Sequence, residues 1–123
     1  MPYLNKSDIV PGKFIAAVGA DNEEKQELDS HLVAASKVVV ESLDQCASMG
    51  DLKLALKQAL MTRADVYPEL GEVIPGRKSG RGNREEVIVF DSTGTAFQDV
   101  AAASIVYENA VATDCGIVLD FSE

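Results

Sequence analysis

Three short apolar runs, Phe14–Val18, Val38–Val40 and Val87–Phe90, set the limits on what this chain can fold into. The first is a continuous block, where a strand with one wet face would alternate, and the second is β-branched throughout. Such runs mark strands covered on both faces, as in a parallel sheet. Each run ends in a turn of small or acidic residues: Gly19-Ala20-Asp21, Glu41-Ser42 and Asp91-Ser92-Thr93-Gly94. The segments between and after the runs carry helix signals, so the chain reads strand–helix three times over. Right-handed crossovers then place the three strands in one parallel sheet with helices against it, an α/β fold.

The helix signals are specific. Asp29 or Ser30 can cap a short helix over residues 31–36. Ser42-Leu43-Asp44-Gln45 fits a capping box, and its helix is interrupted at Met49-Gly50. Asp51 can cap a further helix through Met61, with Leu52, Ala55, Leu56, Ala59 and Leu60 on one face. Val66–Arg84 is a Gly/Pro-rich connection with one helical turn near Glu69–Val73, long enough to be functional or mobile. Thr95-Ala96-Phe97-Gln98 is a second capping box and opens a helix to about Ala112, with Phe97, Ala101, Ile105 and Tyr107–Val111 on its apolar face. Tyr3-Leu4 could add a small edge strand, and Ile117–Phe121 a last short strand or an extended tail.

Composition excludes several function classes. The 123 residues are one domain's worth, and their net charge of −9 argues against a nucleic-acid partner, which needs a basic surface. The basic residues Arg77, Lys78, Arg81 and Arg84 run straight into Glu85-Glu86 and read as a solvated loop. Cys46 and Cys115 match no metal or redox spacing and read as reduced thiols of a cytoplasmic protein, although a disulfide between them stays open. The N-terminus has no signal-peptide pattern, and no apolar run is long enough to span a membrane.

In an open parallel sheet the ligand cleft lies beyond the carboxyl ends of the strands, so the three polar turns share one rim. Asp21 can act there as a general base or hold a cationic substrate; as a plain turn aspartate it would cap its neighbours. Lys25 can meet a nucleotide phosphate or stay solvated. Ser92, Thr93 and Thr95 stand where a helix start could hold an anion, and serve equally well as caps. His31, the single histidine, has no partner for a metal or a triad and reads as a surface or cap-proximal residue. Gly80-Arg81-Gly82 follows no strand, opens no helix and lacks the third glycine of a dinucleotide fingerprint.

Three segments, PGKFIAAVGADNEEKQELD, KVVVES and LGEVIPGRKSGRGNREEVIVFDSTGTAFQDVAAASIVYENA, occur in the order and at the spacing of a known family. From Pro11 to Val111 the chain resembles the ornithine cyclodeaminase/mu-crystallin family, which includes alanine dehydrogenases of the same fold. The resemblance implies a partial Rossmann-like three-layer fold. Residues 1–123 would be the second half of an NAD(P)-binding domain, without its glycine-rich half and without the substrate domain. It implies NAD or NADP as cofactor, Asp21 at the catalytic centre, and Gly19, Lys25 and Ser92 on the cofactor side, with no metal. A chain so placed is expected to be an incomplete, non-catalytic nucleotide-binding module that forms a homo-oligomer through an exposed sheet edge or helix face. The alternative is a part of a cyclodeaminase or dehydrogenase acting on ornithine, alanine or a related amino acid in a completed site.

Overall fold

The computed structural model describes residues 2–119. Its centre is a three-stranded parallel sheet of β1 (Phe14–Ala17), β2 (Lys37–Val40) and β3 (Ile88–Asp91), in the order β1-β3-β2. The last strand in sequence therefore lies between the first two. Phe14 and Lys37 both face Ile88 across the ladder, and Ala17 and Val40 both face Asp91. That register brings the three carboxyl ends level, and it makes the shared rim a property of the fold. The Tyr3-Leu4 strand reduces to a single parallel bridge, Leu4 to Leu28.

Five helices follow the sequence signals: α1 (Ser30–Ala34), α2 (Leu43–Ser48), α3 (Leu52–Lys57), α4 (Leu70–Val73) and α5 (Ala96–Ala112). Asp29 caps α1, its carboxylate accepting from the amides of His31 and Leu32. His31 is exposed, as expected of an unpartnered histidine. The helix opened near Asp51 ends earlier than its apolar spacing predicts. It stops at Lys57, and Ala59 takes a left-handed φ of 55°. Leu60 then donates its amide to Ala55, and Met61 turns into the core.

One face of the sheet carries the core. Alternation puts Ile15, Ala17, Val38, Val40 and Val89 on that face, against Leu28, Leu32, Val33, Cys46, Leu52, Ala55 and Met61. Each large side chain sealed in this way is worth about 1.5–3 kcal/mol of transfer free energy. The other face is lightly covered. Phe14, Val39, Ile88 and Phe90 line a cleft of about 520 Å³, and α4 supplies Leu70 and Val73 across it. Phe14 is 62% exposed, and Ala16 and Val18 are open to solvent. The expectation that the first strand is buried on both faces is thereby corrected. β1 is an edge strand, and among the described residues only α4 and its flanking loop lie over that side of the sheet.

The long connection is tied down. The Lys37 ammonium donates to the Gly80 carbonyl at 2.7 Å and sits 3.8 Å over the Tyr67 ring, and the Arg81 guanidinium donates to the carbonyls of Glu86 and Lys13. By contrast α5 buries no residue, and Phe97 is 84% exposed. Both cysteines are free: Cys46 buried, Cys115 exposed. No helix among the described residues is long and apolar enough to cross a membrane. Residues 117–119 have no regular structure, and the rest of the expected last strand lies outside the described residues.

Candidate functional site

The rim begins where β2 and β3 end. The Glu41 amide donates to the Asp91 carbonyl at 3.1 Å and extends the ladder by one step. That step sets the Glu41 side chain beside the turn that follows β3. Its carboxylate accepts from Ser92 Oγ at 2.6 Å, from Thr95 Oγ1 at 2.7 Å and from Gln98 Nε2. One half-buried carboxylate thus gathers three donors from the turn and the first turn of α5. Gly94 turns the chain there with a φ of 76°, a left-handed conformation that favours glycine.

This network replaces both capping boxes. Thr95 is the N-cap of α5, but its hydroxyl points to Glu41 and makes no cap hydrogen bond. Ser42 makes none to α2 either. The Leu43 amide finds Glu69 Oε1 at 2.9 Å, and Gln45 Nε2 donates to the Gly94 carbonyl at 2.9 Å. The sequence signals locate both helix starts correctly, and Gln45, Thr95 and Gln98 from those signals bind the rim together.

The turn after β1 forms a second group. The Gly19 amide donates to Glu27 Oε2 at 2.8 Å, and a Cβ at position 19 would collide with that carboxylate. Asn22 Oδ1 accepts from the amides of Glu24 and Lys25 at 3.0 and 3.1 Å, an Asx turn that sets Lys25 opposite Asp21. The Lys25 ammonium reaches Asp21 Oδ1 at 2.5 Å. That hydrogen bond, and then the charge of Lys25, hold the Asp21 carboxyl below the usual carboxylate range. An exposed carboxylate in that state suits holding a cation better than taking up a proton near neutrality. A cleft of about 400 Å³ lies beside it, lined by Tyr3, Gly19, Glu24, Lys25, Gln26 and Glu27.

The structure therefore brings Gly19, Asp21 and Lys25 together on one turn and Ser92 with Thr95 on another. Among the described residues no hydrogen bond or ion pair joins the two groups. Beneath both lie two aspartates that the sequence offers only as a strand-end residue and a helix cap. Asp51 does not cap α3. Its Oδ1 accepts from the amides of Glu27 and Leu28 at 2.7 and 2.8 Å and anchors the end of the Asp21 turn. Asp91 is the last residue of β3 and fully buried, and its Oδ2 accepts from the Leu52 amide at 2.9 Å. Burial pushes the Asp91 carboxyl up to about 6, with the negative charges of Asp51 and Glu27 adding to it against the Leu52 hydrogen bond. Burial likewise raises Asp51. The available signal was an acidic residue directly continuing a buried strand.

The rim's donor set can be weighed against a nucleotide. It offers the lone pairs of the Ser92 and Thr95 hydroxyls, whose protons go to Glu41, a left-handed glycine that keeps the backbone open, and the buried Thr93 Oγ1, which has no hydrogen-bond partner. These uncharged groups fit the neutral polar parts of a dinucleotide. No glycine-rich phosphate turn occurs in these 123 residues.

The chain belongs to the ornithine cyclodeaminase/mu-crystallin family, whose model matches residues 1–114. It is 41% identical over 120 residues to an alanine dehydrogenase of Archaeoglobus fulgidus, covering 98% of this chain and 37% of that protein. It is also 41% identical over 122 residues to a Δ1-pyrroline-2-carboxylate reductase of Bacillus cereus, with 98% and 37% covered. Among solved structures it matches an archaeal alanine dehydrogenase dimer with bound NAD at a TM-score of 0.87 and 40% identity, over 98% of this chain and 38% of that one. The chain thus spans little more than a third of the length of these relatives, and its fold is that of their Rossmann-like NAD-binding proteins.

Proposed function

We propose that this chain supplies the strand-end wall of the nucleotide site in an NAD(P)-dependent amino-acid dehydrogenase or imine reductase of the cytoplasm. The observation that carries the reading is the Glu41-centred network at the carboxyl ends of β2 and β3. It presents polar groups where an open α/β sheet binds its ligand. Ser92 and Gly19 lie on the cofactor side, Lys25 beside them, and Asp21 at the reacting centre. NAD(P)(H), when bound, supplies hydride acceptance or donation. The residues of this chain orient it: Glu41 fixes the rotamer of Ser92, and the Lys25–Asp21 pair holds a carboxylate ready for a substrate ammonium. The similarity to an alanine dehydrogenase and to a pyrroline-carboxylate reductase supports chemistry at a carbon–nitrogen bond.

Taken alone, the 123 residues are on this reading an incomplete, non-catalytic module: a second half of a nucleotide domain without a substrate domain. Asp21 stands on an exposed turn whose one adjacent cation, Lys25, is already paired with it, and orientation is a large share of catalysis. The exposed α5 and the open edge of β1 support self-association. Titration of NADH and NADPH into the chain, followed by nucleotide fluorescence, tests the nucleotide site. Saturation with a Kd on the order of 1 mM, about 4 kcal/mol of binding, is expected. No change up to about 10 mM, tenfold above that Kd, overturns the binding. Turnover of alanine or ornithine with NAD that vanishes in Asp21→Asn overturns the non-catalytic part. Light scattering at tens of micromolar should show a dimer or larger, and a monodisperse monomer would refute self-association.

A further inference from the structure

The sheet face away from the core keeps an apolar cleft of about 520 Å³, with Phe14, Val39, Ile88 and Phe90 as its floor and Leu70 and Val73 of α4 as its wall. Beside it runs a cationic stretch. Residues 77–84 carry Arg77, Lys78, Arg81 and Arg84 and no acid. The Lys78 amide donates to the Glu72 carbonyl at 3.1 Å, which ties the stretch to α4, and Gly80 and Arg81 line the cleft itself. Among the described residues none of these four cations is in an ion pair. Of the two glutamates that follow, Glu86 turns to the Gly82 amide and to Lys37, and Glu85 lines a separate hollow with Lys6 and Pro11. An apolar groove with a basic lip, in a chain of net charge −9, suits an apolar guest that carries acids.

α5 has that composition. Its 17 residues include Asp99 and Glu108 and no Lys or Arg. Phe97, Val100, Tyr107 and Val111 recur at helical spacing, with exposures from 63% at Val100 to 84% at Phe97. Ile105 and Val106 carry the exposed apolar surface round to other sides. A helix apolar on several sides is one that packing covers, yet α5 buries none of its residues. We propose that α5 of one copy lies in the cleft of a second copy, and that the exchange is reciprocal. This rests on the self-association proposed above and says which surfaces meet. Two α5 helices packed on each other would set acid near acid with no cation, and two paired β1 edges would leave both cleft and α5 open. In the exchange Asp99 and Glu108 come to the unpaired cations at the lip. Size points to two contacts. Phe97 and Tyr107 would bury roughly 150 Å² each. One helix in one groove falls short of the roughly 1,200–2,000 Å² of a stable interface. Two-fold exchange doubles the area and closes the assembly as a dimer.

The test uses the whole chain and needs neither nucleotide nor activity. Sedimentation equilibrium at roughly 50 μM, well above a micromolar Kd, should give a dimer. In dimers mixed from 13C-labelled and unlabelled copies, the methyl protons of Val39, Val73 and Ile88 should show NOEs to the ring protons of Phe97 or Tyr107 in the unlabelled copy. Reversing the lip charges with Arg77→Glu and Lys78→Glu should raise the dimer Kd about tenfold, and so should Asp99→Lys with Glu108→Lys. The chain with all four reversals should regain most of that loss. A monomer at the higher concentration refutes self-association itself, and the exchange with it. A dimer whose intermolecular NOEs join α5 to α5, or β1 to β1, leaves self-association standing and overturns the exchange. A Kd that neither one-sided reversal changes does the same. The NOEs need no variant and decide the question by themselves should a reversed chain lose its helix.

Discussion

Gly50→Ala is the sharpest probe of the packing beneath the rim. An added Cβ would meet Asp91 Oδ2 at 2.5 Å, Oδ1 at 2.7 Å and Cγ at 2.9 Å. Real Cβ contacts do not come so close, so the carboxylate or the turn must shift. Neither is a free end. Asp91 is fully buried at the end of the central strand, and its Oδ2 holds the Leu52 amide. Overpacking of this kind costs about 1–3 kcal/mol. Loss of the Leu52 acceptor leaves a buried amide unpaired and adds about 1 kcal/mol or more. The expected destabilisation is about 3 kcal/mol, a large part of the 5–15 kcal/mol that holds a domain together. In urea melts with an m-value of about 1.5 kcal/mol/M it lowers the midpoint by about 2 M. Gly71→Ala is the internal control. Gly71 lies in α4 with nothing within 4 Å of its would-be Cβ. There alanine should stabilise by about 0.4–1 kcal/mol through the unfolded chain. A Gly50→Ala midpoint unchanged, or raised like that of Gly71→Ala, would refute the close packing of Asp91 on the turn.

Other expectations follow from single residues. Asp91 holds its proton to about pH 6 when folded, against an ordinary value of 3.8. Stability is then full below about pH 4 and falls as pH rises toward 6, by about 3 kcal/mol for the gap of two pH units. Urea midpoints measured from pH 4 to 7 check the sign, and a rise over that range contradicts it. Iodoacetamide at pH 7.5 should label Cys115 only, because Cys46 is buried with its thiol pushed up to about 11. Mass spectrometry showing equal labelling of both would disagree. Asp29→Ala removes the cap on the His31 and Leu32 amides and should cost about 1 kcal/mol in the same melts.

Much of this was legible in the residues because local signals carried it. Phe14–Val18, Val38–Val40 and Val87–Phe90 gave the strands within one residue at either end, since apolar β-branched runs pair wherever the sheet puts them. Asp29, Ser42 and Thr95 gave the helix starts. What stayed hidden were long-range partners. Glu41 is a plain turn glutamate until β3 arrives beside β2 from nearly fifty residues on, and only then does it meet Ser92 and Thr95. Asp51 has the sequence look of a helix cap, yet its carboxylate serves amides more than twenty residues back. Phe14 has the look of a buried residue, yet its exposure depends on what lies over one face of an edge strand. Periodicity reports the elements; it does not report which of them a side chain will reach.

The two halves of the rim are built with different stiffness, and that difference bears on how a ligand would meet them. On the β2–β3 side one carboxylate fixes three donors, and Gln45 braces Gly94 from α2. Those groups lose little freedom when a ligand binds, so their contacts count nearly in full. On the β1 side Asp21 and Lys25 are exposed, and their mutual bond is of the surface kind that contributes little to holding the turn. That turn is held from below, through Glu27 and Asp51, and not by its own charged pair. Lys25 occupies Oδ1 of Asp21 only, and the rest of that carboxylate is open to a ligand cation. What a ligand meets on this side therefore rests on Asp51, whose carboxylate holds the amides of Glu27 and Leu28, and this ties the chemistry at the rim to the packing beneath it.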